Sequence, residues 1–230
     1  MAITALSQTI THLTKQGRFR QAADREKEIG QIYLQELNDL QKACESLERA
    51  GEWYIQEDAQ AYVVSLYHLL RLLILYSTAN ACFKDAADLH ADLEQYPQAI
   101  ARYEQVADAS LSSALTKYSV KEYWLRACLC ALAMGVSMSL LFSWMVLIVL
   151  QDTVTSKRNL TKYSSLDTTF SSTREAKFVN IITEAIEAGD VDTFTGAVFE
   201  YDQVMRLDNW KTNILSKIKK NMQNDSIDIL

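Results

Sequence analysis

Histidine and cysteine side chains are the groups in this chain that could bind a metal ion or act as nucleophiles. They are His12, His68, His90, Cys44, Cys82, Cys128 and Cys130. None of them shows the Cys/His spacing of a zinc site. Cys128 and Cys130 stand two residues apart in an apolar helical stretch, so their thiols point to different faces, and core packing is favoured over a redox pair. The sequence also lacks a phosphate-binding glycine loop and a nucleophile elbow, so it favours a binding protein without enzymatic activity or cofactor.

Charged residues are the other groups that could serve a function here. The chain has 23 Lys and Arg against 29 Asp and Glu, a formal net charge of −6. This balance argues against nucleic acid as a partner, because phosphate binding needs a basic surface. A net negative charge does not exclude a local basic face on the protein. Near the C-terminal end, four acidic residues gather around a predicted helix boundary: Glu184, Glu187, Asp190 and Asp192.

The elements that must position these charges are predicted to be α-helices. The chain contains one proline and six glycines, too few for most all-β architectures. Apolar residues recur at steps of three and four, and no long stretch alternates with period two. The predicted helices are 20–37, 40–54, 79–93, 97–109, 117–133, 172–188, 191–205 and 209–222. Small residues at Ala43 and Ala99 resemble the helix-crossing positions of tetratricopeptide-like repeats, so we expect an all-α array of antiparallel helix hairpins across residues 1–230.

Local signals mark several of the helix ends. Pro97 stands where a first-turn proline belongs. Asp190 and Asp208 are predicted N-caps, and Gly189 is a predicted helix stop.

Two apolar segments, residues 62–77 and 136–151, break the helical-repeat period. The second lies in an uncharged run, 127–151, that is long enough to cross a bilayer, so an integral membrane protein with helical-repeat cytosolic regions is one interpretation. Ordinary buried helices are another. The interpretation we favour is that both segments are translated introns, because codons compatible with splice signals can encode their ends.

The sequence outside these segments resembles the soluble NSF attachment proteins, the alpha-SNAP family of vesicle-fusion adaptors. The stretches KYSVKEYWLRA and EYDQVMRLDNWK are the most specific. The other matching stretches are GRFRQAADREKEIGQIYLQEL, AGEWYIQEDAQA, TANACFKDAADLHADLEQYPQAIARYEQVA and STREAKFVNIITEAIEAGDVDTF. The resemblance implies a twisted sheet of helix hairpins that ends in a C-terminal helical bundle and an ATPase-facing tail, residues 172–230. It also implies that the chain lacks the family's N-terminal helix pairs and their membrane-touching apolar loop.

The resemblance implies a function in vesicle-mediated protein transport. Such an adaptor binds the SNARE complex, recruits a hexameric NSF-type ATPase that disassembles it, and is cytoplasmic with peripheral membrane contact. The implied SNARE-binding residues are Arg18, Arg25, Lys84, Lys117, Lys121 and Arg174. The implied ATPase-binding residues are Glu184, Glu187, Asp190, Asp228, Ile229 and Leu230. Each cation could equally be a solvated surface charge, and Asp190 could serve only as a helix cap.

Overall fold

The computed structural model describes residues 2–59, 66–112, 116–138 and 145–227, and all regular structure within them is helical. The prediction of an all-α fold is therefore confirmed. The α-helices are α1 (Ala2–Lys15), α2 (Phe19–Gln35), α3 (Leu40–Ala59), α4 (Leu66–Asp92), α5 (Tyr96–Leu111), α6 (Val120–Met138), α7 (Met145–Leu166), α8 (Arg174–Ala188), α9 (Val191–Val204) and α10 (Asn209–Ile227). The chain divides into two compact units, Met1–Gln95 and Tyr96–Leu230.

In the first unit each helix packs against the next one along the chain. The helices α2 and α3 are antiparallel, because the Arg20 N–H at the start of α2 donates to Glu57 near the end of α3. At the other end of this hairpin, Tyr33 of α2 and Leu40 of α3 pack against the same core cluster. Antiparallel neighbours with short connections agree with the array of helix hairpins that the sequence predicts.

Small residues allow the helices of the first unit to approach closely. Ala43, Ala50 and Ala86 are fully buried where α3 meets its neighbours. At Gly51 of α3, an added Cβ would lie only 2.7 Å from the ring of Phe83 in α4. At Gly30 of α2, an added Cβ would meet its nearest neighbour at 3.4 Å, an ordinary contact distance.

These two glycines give a matched pair of stability predictions. Gly30→Ala is expected to raise the free energy of unfolding by up to about 1 kcal/mol, because alanine is the better helix former. Gly51→Ala is expected to lower it by roughly 1–2 kcal/mol, because overpacking against the buried Phe83 ring outweighs the same gain. Chemical denaturation of the two variants and the unsubstituted chain measures both values. Equal stabilisation by both substitutions would contradict the close packing of α3 on α4.

In the second unit α6 is the central helix, and α5, α7, α8 and α10 all pack against it. Every residue from 124 to 133 is buried. Trp124 of α6 stacks on Tyr163 of α7 with ring centroids 5.1 Å apart, and Phe170 meets Trp124 edge-on at 4.8 Å. Phe170 begins a short 3-10 helix, Phe170–Ser172, that connects α7 to α8. These three rings therefore pack α6 against α7 and against the segment that precedes α8.

The predicted helix signals are confirmed. Pro97 lies in the first turn of α5, and Gly189 ends α8 with a φ of 66°. The Asp190 side chain accepts hydrogen bonds from the Asp192 and Thr193 N–H groups at the start of α9. Asp208 accepts one from the Lys211 N–H at 2.8 Å at the start of α10.

The described parts of the two apolar segments belong to α4, α6 and α7. Each of these helices continues into the flanking sequence. The helix α4 begins at Leu66 rather than at the predicted residue 79, and α6 continues to Met138 rather than ending at 133. Residues 62–65 and 139–144 lie outside the described residues, as do nearly all side chains of both segments. The translated-intron interpretation stays a prediction. Among the helices of the described residues, none combines the length and hydropathy needed to cross a membrane.

Candidate functional site

Two of the predicted SNARE-binding cations line one cavity in the second unit, and a third directly follows a residue that lines it. Lys117 lies in the short 3-10 helix that precedes α6, Lys121 lies in the first turn of α6, and Arg174 is the first residue of α8. Lys117 and Lys121 line a cavity of about 370 Å³ together with Thr173, the residue that directly precedes Arg174. We call this surface the basic groove, defined by Lys117, Lys121 and Arg174.

Two cations of the basic groove have acidic neighbours that the sequence analysis missed. Lys117 Nζ lies 3.8 Å from Asp167, and Lys121 Nζ lies 2.9 Å from Glu175 Oε1. Hydrogen bonds from the Thr169 hydroxyl and N–H, together with the Lys117 charge, hold the pKa of Asp167 below its usual value. The sequence holds one signal for these acidic neighbours: Glu175, the partner of Lys121, directly follows Arg174.

The cations of the basic groove remain accessible despite these neighbours. The side chains of Lys117 and Lys121 are 56% and 42% exposed. Arg174 is exposed, and it makes no ion pair with any residue that the structure describes. Glu175 is 1% exposed and has no well-aligned hydrogen bond, so the close Lys121 ammonium is its main compensation. The groove therefore presents mainly positive charge to solvent.

The other three predicted SNARE-binding cations lie in the first unit. Arg18 is exposed just before α2, and within the described residues it has no acidic partner. Arg25 pairs with Glu28 at 2.7 Å. Lys84 pairs with Asp88 at the same distance. Pairing within one helix partly neutralises the last two, so Arg18 is the most available cation of the three.

The predicted ATPase-binding carboxylates lie where α8 ends and α9 begins. Glu184 is exposed and has no ion pair within the described part of the chain. Glu187 pairs with Lys157 of α7 at 2.7 Å, and this hydrogen bond lowers the pKa of the Glu187 carboxyl. The Asp190 carboxylate caps the N-terminus of α9, which is the alternative role expected from the sequence. Asp228, Ile229 and Leu230 lie outside the described residues.

The structure gives the cysteines a packing role. Cys44, Cys82, Cys128 and Cys130 are all buried, and none of them forms a disulfide bond. Burial raises the pKa of Cys82 to about 11 and raises that of Cys128 as well, which disfavours the reactive thiolate. Among the residues that the structure describes, no group of His, Cys, Asp and Glu is placed to hold a metal ion.

Comparisons with known proteins show the family to which the chain belongs. The sequence model described as "Soluble NSF attachment protein, SNAP" matches residues 1–70, 74–140 and 136–223. The vesicular-fusion protein SEC17 of Coprinopsis cinerea is 54% identical over 225 residues, which are 98% of this chain and 67% of that protein.

More distant relatives match over the same extent. The probable vesicular-fusion protein sec17 homolog of Schizosaccharomyces pombe is 36% identical over 99% of this chain and 68% of its own length. The human alpha-soluble NSF attachment protein is 35% identical over 99% of this chain and 66% of its own length. The chain thus spans about two thirds of the length of these relatives. By sequence, the chain belongs to the soluble NSF attachment protein family.

Proposed function

We propose that the chain is an adaptor that binds a SNARE helical bundle and recruits an NSF-type ATPase to disassemble it. One observation carries this proposal: the helix α8 holds a cation at its first residue and carboxylates in its last turns. Arg174 and Glu187 are separated by about 20 Å along the axis, given a rise of about 1.5 Å per residue. A single rigid helix therefore fixes the distance between a surface for an acidic partner and a surface for a basic one.

Two exposed charges of α8 are opposite to those that would stabilise the helix, whereas the buried Glu175 in its first turn follows the favourable pattern. The helix dipole favours anions at the N-terminus and cations at the C-terminus. Arg174 and Glu184 are placed the other way round, and no basic residue lies in the last turn of α8. Because these charges do not contribute to helix stability, their placement supports a role in binding partners.

The basic groove is the proposed contact for the SNARE bundle. A single exposed ion pair contributes only about 0–1 kcal/mol, so recognition needs several cations acting together. Lys117, Lys121 and Arg174 supply such a group in the second unit, and Arg18, with Arg25 and Lys84, adds charge in the first. Charges of this kind mainly set the association rate and the choice of partner.

The acidic end of α8 is the proposed contact for the ATPase, and Glu184 is its most available carboxylate. The tail residues Asp228, Ile229 and Leu230 are proposed to stimulate the ATPase. The names of the relatives support these assignments, since they describe attachment proteins for NSF. As an adaptor the chain would have no catalytic activity of its own, and it would act in the cytoplasm and peripherally on membranes.

We also propose that residues 62–77 and 136–151 are insertions into the family sequence. The family match breaks between residues 70 and 74, and its last two parts overlap at 136–140. Both breaks fall inside the apolar segments. Sequencing the mature transcript tests this, and a major transcript that retains both segments would contradict their origin as introns.

Salt dependence of SNARE binding tests the proposed function. Screening lengths fall from about 10 Å at 0.1 M salt to about 3 Å at 1 M, so a contact made by exposed charges weakens steeply. We expect the chain to bind an immobilised SNARE bundle at 0.1 M salt and to lose at least tenfold in affinity by 0.5 M. No binding at 0.1 M, or affinity independent of salt, would contradict the electrostatic contact.

A further inference from the structure

Four charged side chains join α6 to α10 where the core of the second unit meets solvent. Glu122 of α6 contacts Lys211 Nζ at 2.6 Å and Arg126 Nε at 3.2 Å. Arg126 also pairs with Asp208, the N-cap residue of α10. We call this group the α6–α10 ion cluster: Glu122, Arg126, Asp208 and Lys211. It is balanced, with two cations and two anions.

The cations of this cluster are deeply buried. The side chains of Arg126 and Lys211 are only 6% and 7% exposed. The Arg126 guanidinium also lies 4.6 Å from the centre of the Trp210 ring, and Trp210 meets Tyr103 of α5 edge-on at 5.8 Å. The start of α10 is thus fixed against both α5 and α6.

The cluster pairs two buried cations with carboxylates that are 29% (Glu122) and 45% (Asp208) exposed, and such pairs serve geometry more than stability. Removing two charges from water costs about as much as their attraction returns, so apolar residues would hold the helices together at least as well. The rest of α10 is held in that way, through the buried residues Ile214, Leu215, Ile218 and Met222. Apolar contacts tolerate small rotations and shifts, whereas Arg126 between Glu122 and Asp208 permits one arrangement only.

The orientation of α10 matters because the tail continues from its far end. The helix has 19 residues, which corresponds to about 28 Å at 1.5 Å per residue. A tilt of about 10° at Asn209 would therefore move the end at Ile227 by roughly 5 Å. A tail that must reach a site on a partner would lose its target through such a shift.

We propose that the α6–α10 ion cluster positions α10, so that the tail engages the ATPase while the acidic end of α8 binds it. This inference rests on the proposed adaptor function. Its residues are positioning residues, because they act through the tail rather than by touching the partner.

The variant Asp208→Ser tests the proposal. Serine retains the N-cap of α10 but is too short to pair with Arg126. Asp39→Ser is the matched control, since it makes the same change at the residue directly before α3, where the Asp39 carboxylate accepts from the Lys42 N–H and pairs with the Lys42 ammonium. A chain without residues 229–230 gives the reference level for a missing tail contact.

We expect Asp208→Ser to bind the SNARE bundle and capture the ATPase as the unsubstituted chain does. Stimulated ATP turnover should fall about tenfold, towards the level of the chain without residues 229–230. The control should retain full stimulation. Normal stimulation by Asp208→Ser would overturn the positioning role alone, whereas an unsubstituted chain that captures no ATPase would overturn the proposed function.

A distance measurement gives a readout that does not need the ATPase. Spin labels on Asn180→Cys of α8 and Gln223→Cys of α10, both exposed positions, report the orientation of α10. The distance distribution should broaden in the Asp208→Ser background and stay narrow in the Asp39→Ser background. The variant Arg126→Lys, which keeps the charge but loses the forked pairing, should broaden it too. An unchanged distribution in both cluster variants would overturn the positioning role.

Discussion

Simultaneous charge reversal of Lys117 and Arg174 is expected to lower affinity for a SNARE bundle by about tenfold to a hundredfold. Each exposed cation contributes about 0–1 kcal/mol when it faces an acidic partner, and reversal replaces attraction by repulsion. Two reversals therefore remove roughly 1.5–3 kcal/mol, and every 1.4 kcal/mol corresponds to a tenfold change in affinity. Fluorescence anisotropy with a labelled bundle at 0.1 M salt measures the loss.

The control for this prediction carries the same change in net charge elsewhere in the second unit. Arg206 and Lys220 are exposed and lie outside the basic groove, so Arg206→Glu with Lys220→Glu should reduce affinity less than threefold. Lys117→Glu with Arg174→Glu must also unfold at the normal temperature. If both double variants lost affinity equally, net charge rather than the basic groove would govern binding.

Reversal of Glu184 is expected to have the largest effect on recruitment of the ATPase. Glu184 is exposed and has no ion pair among the described residues. Glu187 is held by Lys157 at 2.7 Å, so part of its charge is already compensated. We expect Glu184→Lys to reduce capture of the ATPase about tenfold, and Glu187→Lys to reduce it less. Capture on beads that carry a preformed SNARE–adaptor complex measures both.

Helix stability separates this loss of binding from simple damage. A lysine at position 184 suits the C-terminal end of α8 better than a glutamate does, by about 0.3–1 kcal/mol. The Glu184→Lys variant should therefore unfold at an equal or slightly higher temperature. Glu200→Lys, on the exposed surface of α9, is the matched control and should capture the ATPase normally. Normal capture by Glu184→Lys would remove the acidic end of α8 from the proposal.

Most of the helices could be predicted from the sequence because their cores are apolar and periodic. The second half of α7 could not. Its buried side mixes the polar residues Ser156 and Asn159 with Leu160 and Tyr163, and the polar residues weaken the hydrophobic periodicity there. The helix ends were predictable because a cap acts within a few residues. Asp190 and Gly189 needed no tertiary information.

The charged surfaces were only partly predictable. The resemblance to known adaptors selected Lys117 and Lys121, which line one cavity, but their acidic neighbours depend on tertiary packing. Lys121 meets Glu175 across two helices that are far apart in the sequence. The Arg126–Asp208 pair of the α6–α10 ion cluster likewise joins distant parts of the chain. Sequence patterns report on neighbours along one helix, and these contacts lie between helices.

A mixing experiment tests most directly whether one molecule bridges the SNARE bundle and the ATPase. One variant carries Lys117→Glu with Arg174→Glu, and the other carries Glu184→Lys with Glu187→Lys. Because each is defective on a different surface, an equimolar mixture should recover no more ATPase on SNARE beads than either variant alone, while the unsubstituted chain recovers it fully. Recovery by the mixture at the unsubstituted level would show that the two surfaces act on separate molecules, contrary to the bridging role of α8.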